Sequence, residues 1–169
     1  MAADRRASSG RPLQAGSALE AVRTDLLPRV TVATPNVAEL AGLTGSPPPR
    51  TDSEVDRAAR QLLDAGPEWV LITGGHRSGR FCRDRLHGPR GSGGARWYRG
   101  LRVKTRHGHG TGCTLSSAIA ARLALGDRVP DAVKVAKDYL GEALAAAGEL
   151  DVGHGPGPLN HFFAMWRKT

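Results

Sequence analysis

The stretch RHGHGTGCTLSSAIAARLALG, residues 106–126, places a single thiol where a glycine-rich loop gives way to an apolar helix. Gly108, Gly110, Thr111 and Gly112 are small enough for successive backbone N–H groups to converge with no bulky side chain in the way. The helix that follows adds its unpaired first amides and the positive end of its dipole. Such a place suits a phosphate, or the charge that develops while a group is transferred. Cys113 stands at that convergence. A helix N-terminus favours thiolate over thiol, which would make this residue a nucleophile or a general base. The competing account is a small apolar side chain buried in the first turn, as cysteine often is. The spacing is not that of a P-loop, because no Lys follows the last Gly, and it lacks the strand-to-helix GxGxxG of a dinucleotide fold.

A second candidate pair is Asn36 and Glu39. Asn followed three residues later by Glu is a capping box, which is a sufficient structural reason for both. The alternative sets Glu39 at the carboxyl end of a strand, where α/β sheets bind ligands, holding Mg2+ through water. Magnesium commonly takes one or two carboxylates together with substrate phosphates, so one Glu is a small but sufficient donor set. The pattern leaves both accounts open. His107 and His109 flank the loop, and with Cys113 they suggest zinc, but a fourth ligand at standard spacing is absent from the sequence.

The elements that must position these residues alternate in type. Ser17 and Glu20 form a capping-box pattern for a helix closed by Pro28, with Leu19, Val22, Leu26 and Leu27 on one face. VTVAT, residues 30–34, reads as a short strand, and NVAELAGL as a short helix. Thr51 with Glu54 caps a third helix through about Asp64, after which EWVLIT is a strand apolar enough for burial on both faces. GGHRSG then turns the chain into a hairpin with arms over residues 80–86 and 97–104. The helix from Cys113 to Leu125 follows, then a long one with Pro130 near its start and Gly148 at its end. Packing of Phe162 and Phe163 is expected to order the tail GHGPGPLNHFF. Helices alternating with buried strands indicate an α/β layer fold with a mainly parallel sheet. Two core strands and a hairpin are few for such a sheet, which predicts completion by a partner or a missing part of the domain.

The bulk numbers bound the class. The 169 residues are 40% hydrophobic and 24% charged, as in a soluble globular domain. MAADRRASSG lacks the apolar core of a secretory signal, no run reaches the length of a membrane span, and two cysteines in unlike contexts give no disulfide framework. These features point to the cytoplasm and to no membrane partner, with residues 1–8 expected to be disordered. The net charge of +8 is local: residues 77–106 hold ten Lys or Arg and one acid, Asp84, so the remainder sums to −1. A nucleotide's phosphates or a nucleic-acid backbone would each suit that window, as would a solvated Arg-rich hairpin. Nucleic acid is not the expected partner, because only Phe81, Trp97 and Tyr98 are aromatic there and no recognition motif accompanies them.

In their order, TPNVAEL, ITGGH, HGTGCTLSSAIAA and GHGPGPLNHFF resemble the hydroxymethylpyrimidine/phosphomethylpyrimidine kinases of thiamine biosynthesis. The likeness runs from about Ser9 to Phe163. It implies a ribokinase-like three-layer α/β sandwich, in one domain over residues 1–169, incomplete on its N-terminal side. It also implies ATP and Mg2+ as cofactors and phosphorylation of a small pyrimidine alcohol and then of its monophosphate. Cys113 would be the base, and Gly110, Thr111 and Gly112 the anion hole. Asn36 and Glu39 would lie near metal and phosphate, and Thr73, Gly74, Gly75 and His109 on the nucleotide side. The sequence departs from the family at His107-Gly108-His109, where Asn-Thr-His is usual, and at Thr73, where Lys is common. Met1 aligns inside the family's domain, which a truncated reading frame, a start codon assigned too far downstream or a split partner chain would each explain; a homodimer or a complementing N-terminal chain is the expected partner. A pyridoxal-type kinase of the same fold, or an inactive nucleotide-binding fragment, is the alternative.

Overall fold

The computed structural model describes residues 16–74, 79–150, 152 and 154–166. The chain divides into two compact units, Met1–Ser78 with Cys82–Arg99, and Gly79–Phe81 with Gly100–Thr169. The stretch expected to be disordered, residues 1–8, lies outside the described residues, as do Gly75 and the side chain of Ser17.

In the first unit, α1 (Gly16–Ala21) does not run on as a regular helix to Pro28. It widens into a π-type turn over Val22–Leu26 and tightens into a 3₁₀ turn over Leu27–Arg29. Two local causes are present. The Thr24 hydroxyl donates to the Glu20 carbonyl at 3.1 Å, and Pro28 has no N–H to continue the ladder. The following strand, β1 (Val32–Ala33), is shorter than the VTVAT pattern suggested. Its pairing extends past those two residues through Trp69 N–H to Thr31 O (2.9 Å) and Thr73 N–H to Pro35 O (2.9 Å).

Helices α2 (Val37–Thr44) and α3 (Asp52–Leu63) both start on capping boxes. In α3 the buried residues Val55, Ala58, Ala59 and Leu62 recur at the spacing of one helical face. They pack with Leu27, Leu40, Val70 and Ile72 into the core of this unit. The strand β2 (Trp69–Ile72) carries Val70, Leu71 and Ile72 buried in succession, as a strand covered on both faces should. Among the described residues the sheet is four-stranded and mixed, in the order β1, β2, β3 (Phe81–His87), β4 (Arg96–Leu101). The β1–β2 pair is parallel, and β2–β3 is antiparallel with Leu71 opposite Leu86.

The second unit is built on α4 (Thr111–Ala124) and α5 (Val129–Ala145), which pack along one another. Leu115 and Ile119 from α4 are buried, as are Val129, Ala132, Val133, Ala136 and Ala143 from α5. Small residues on α5 let the two backbones approach closely. Gly148 falls within a terminal 3₁₀ turn, Ala146–Glu149, rather than at the end of the helix proper. The tail is held differently from the sequence expectation. Phe162 is 49% exposed and stacks on Trp166, whereas Leu159 and Asn160 are the buried anchors. Phe163 does pack, in tilted contact with Tyr139 at 5.5 Å between ring centres.

Candidate functional site

In the second unit the glycine-rich loop enters α4 through Gly110, whose φ of +86° is a left-handed conformation that side-chain-bearing residues rarely adopt. The helix therefore begins at Thr111, two residues before the thiol. Its first intrahelical bond runs from Thr114 N–H to Gly110 O at 2.8 Å. Helix geometry leaves the amides of Thr111, Gly112 and Cys113 with no carbonyl behind them in the helix. Cys113 is exposed, not buried in the first turn, which removes the packing account of this residue. Apart from its chain neighbours and the helix's own backbone, no described atom lies within 4 Å of where a Cβ on Gly112 would sit, so that position faces open space. The Ser116 hydroxyl donates to the carbonyls of Gly112 (3.1 Å) and Cys113 (3.0 Å), fixing the turn from behind. His109 is exposed beside the loop, and His107 is half-buried. No group of three His, Cys, Asp or Glu side chains arranged to hold a metal occurs among the described residues.

In the first unit a second cluster forms at the carboxyl ends of β1 and β2. Asn36 and Thr73 face each other in a parallel bridge. Asn36 Oδ1 accepts from Ala38 N–H and Glu39 N–H, both at 2.9 Å, while Glu39 Oε2 accepts from Asn36 N–H at 2.9 Å. Both halves of the capping box are thus formed. Two N–H groups occupy the two lone pairs of Asn36 Oδ1, so this residue orients Glu39 and is not itself a cation donor. Glu39 is exposed and has one oxygen engaged. That donor chemistry fits an Mg2+ ion that keeps most of its water and takes its other ligands from phosphate.

Gly74 is buried in the same cluster, and its N–H goes to Asp84 Oδ1 at 2.9 Å. A Cβ on Gly74 would lie 2.0 Å from the Arg83 carbonyl oxygen, so only glycine fits beneath that strand. Asp84, 4% exposed, belongs to none of the sequence motifs. The available signal was its isolation as the one acid within a run of ten basic residues. A second group without a motif lies along α3, β3 and β4. Arg85 bonds Asp56 Oδ2 at 2.7 Å and stacks on Trp97 at 4.5 Å, and buried His87 sits 3.4 Å from Asp56 Oδ1. Burial pushes the His87 imidazole below its ordinary pKa, although Asp56 pulls the other way.

The sequence profile of the phosphomethylpyrimidine kinase family matches residues 4–160. A hydroxymethylpyrimidine/phosphomethylpyrimidine kinase of Streptomyces coelicolor is 48% identical over 158 residues, 92% of this chain and 55% of that protein. Among solved structures, a Staphylococcus aureus pyridoxal kinase in complex with AMP-PCP and pyridoxal superposes with a TM-score of 0.82 at 26% identity, over 93% of this chain and 56% of that one. A Clostridium difficile phosphomethylpyrimidine kinase gives 0.66 at 31% identity, over 83% and 55%. The fold is therefore the ribokinase-like α/β fold of these kinases. The chain spans little more than half the length of the curated relatives it matches, 55% and 59% for two of them.

Proposed function

Because the chain belongs to the phosphomethylpyrimidine kinase family, we propose that it takes part in moving the γ-phosphoryl group of ATP onto the hydroxymethyl group of 4-amino-5-hydroxymethyl-2-methylpyrimidine. A second transfer, onto the resulting monophosphate, completes its role in thiamine biosynthesis. The observation that carries this reading is the open first turn of α4, where an exposed thiol stands among amides that the helix does not use.

Cys113, as the base, takes the proton of the acceptor hydroxyl on its sulfur as the hydroxyl oxygen attacks the γ-phosphorus. The bond from that phosphorus to the bridging oxygen breaks, and ADP leaves with the electron pair. The amides of Thr111, Gly112 and Cys113, aimed by the left-handed Gly110, stabilise the charge spread over the equatorial oxygens. Thr73, Gly74, Gly75 and His109 are the nucleotide-side residues that the family resemblance implies. Glu39 would hold Mg2+ through water, and Asn36 orients Glu39. The metal supplies charge neutralisation on the phosphates when bound. Positive residues between 77 and 106 raise the local concentration of a polyanionic substrate. The cytoplasm is the compartment in this reading.

Turnover of ATP with the pyrimidine acceptor tests the assignment, in this chain and in one extended to the relatives' full length. Cys113→Ala is expected to lower kcat by about 10²- to 10⁴-fold, the usual contribution of a positioned base. Unchanged turnover would remove Cys113 from the chemistry. The likeness to a pyridoxal kinase favours pyridoxal as the second acceptor to try, and a higher kcat/KM for pyridoxal would replace the pyrimidine in this reading.

A further inference from the structure

We propose that the segment from Gly155 to Asn160 is a strap that positions the loop ahead of α4, with Gly157 and His107 as the fitted pair on which it bears. The strap meets the loop at three successive points, all within the second unit. Gly157 is buried against the His107 ring. A Cβ there would lie 1.9 Å from Nδ1, 2.8 Å from Cε1 and 3.0 Å from Cγ. Pro158 pairs with His109 in a parallel bridge. Leu159, 2% exposed, brings its Cδ1 to 3.9 Å from where a Cβ on Gly110 would sit.

The far end of the strap is fixed to the end of α5. Asn160, 1% exposed, donates its backbone N–H to the Ala143 carbonyl at 3.2 Å, and its Nδ2 lies 3.5 Å from Glu149 Oε2. Its Oδ1 accepts from Phe162 N–H at 3.0 Å, which turns the chain away beyond that point. Contacts therefore run from α5 through the strap to His107 and to His109, the residue just before the one that aims the first amides of α4.

The loop needs such a support for a physical reason. Gly108 and Gly110 bring no side chains with which to pack, and glycine has more backbone freedom to lose than any other residue. His107 is the loop's one half-buried ring, and its buried Nδ1 has no hydrogen-bond partner among the described residues. Arg106 Nε donates to the ring's Nε2 at 3.4 Å, and on the Nδ1 side the ring is held by packing on Gly157. Removing the fit would leave α4 folded but its first turn free to wander by tenths of an ångström. That is enough to misplace donors that must be fixed before the reaction begins.

This inference rests on the reading of those amides as phosphoryl-holding groups only for its effect on turnover. Its structural half is testable without ATP. Amide hydrogen exchange is followed at Thr114, bonded to Gly110 O, and at Asn160, bonded to Ala143 O, in wild type, Gly157→Ala, His107→Ala and the double variant. Gly157→Ala is expected to speed Thr114 exchange by about tenfold with little change in global melting, because local openings are separable from unfolding. The double variant, in which the added methyl has room, should return to within about threefold of His107→Ala. kcat/KM for ATP should follow the same pattern, lost in the single Gly157 variant and recovered in the double.

Unchanged Thr114 exchange in Gly157→Ala, or no recovery in the double variant, overturns the strap. Should Gly157→Ala fail to fold, wild type decides alone: Thr114 and Asn160 must open together as urea is added, and independent openings overturn the proposal. Absence of phosphoryl transfer in every form would instead defeat the functional reading, with exchange still deciding the strap.

Discussion

Substituting Gly74 with Ala puts a methyl group where the Arg83 carbonyl oxygen already stands, 2.0 Å away. The obstructing atom is backbone, so no rotamer relieves it. Restoring ordinary contact requires β3 to retreat by over an ångström, next to the point where Ile72 pairs with Arg85. The Gly74 N–H to Asp84 bond, 2.9 Å long and buried, stretches with it. A hydrogen bond to a charged group contributes roughly 1.5–3 kcal/mol, and forcing one extra carbon into a packed site costs roughly 1–3 kcal/mol. Together these give a loss of about 2.5–6 kcal/mol, against a total stability of about 5–15 kcal/mol for a typical domain. Thermal unfolding should fall by roughly 5 to 24 °C for a chain of this size. Gly42→Ala is the matched control. It lies in α2 with nothing within 4 Å of the place its new methyl would take, and should gain up to about 1 kcal/mol from helix propensity. Melting of Gly74→Ala within about 2 °C of wild type would refute the packing argument, since even the smaller cost exceeds that shift.

Two further outcomes follow from the first unit. With the folded-state pKa of His87 depressed by burial, unfolding takes up a proton, so the stability this residue confers is whole above about pH 6.5 and drains away as pH falls below it. Urea midpoints should therefore drop more for wild type than for His87→Gln between about pH 7.5 and about pH 5, and equal drops would exclude His87 as the cause. Glu39→Gln keeps an acceptor for the Asn36 N–H and should melt with wild type, yet raise the Mg2+ needed for half-maximal turnover by about tenfold. An unchanged Mg2+ dependence would leave Glu39 with capping alone.

What the amino-acid sequence reveals here is what local chemistry decides. The boxes at Asn36–Glu39 and Thr51–Glu54 are legible because donor and acceptor lie three residues apart, and both are formed in the structure. The apolar run at β2 and the stripe on α3 are legible for the same reason. The first helix defeats its periodicity because the Thr24 hydroxyl and Pro28 act on the ladder, not on the face. Asp84 is ten residues from Gly74 and meets it only across the β2–β3 turn, so charge alone marks it. In the tail, hydrophobicity ranks Phe162 above Asn160, yet Asn160 is buried because its polar atoms find α5 and its terminal turn. Of the candidate site, the residue types and their order along the chain were legible. Whether Cys113 is a buried packing residue depended on exposure, a tertiary property.

The glycines show how far a motif letter underdetermines its physics. Gly110 is required for a backbone angle, since φ of +86° is what turns the loop into α4. Gly74 is required for clearance beneath a carbonyl, and Gly157 for clearance against an imidazole. Gly108 and Gly112 have neither constraint within the chain, because open space surrounds the position of a side chain at each. Opening at Gly112 matters only if something else enters there, and that is where the first amides of α4 are presented. In the proposed function a methyl group at Gly112 would meet the substrate and not the protein, whereas one at Gly74 or Gly157 meets the protein first. Stability and turnover should part company at Gly112 and move together at Gly74, a contrast that glycine's identity in the sequence does not carry.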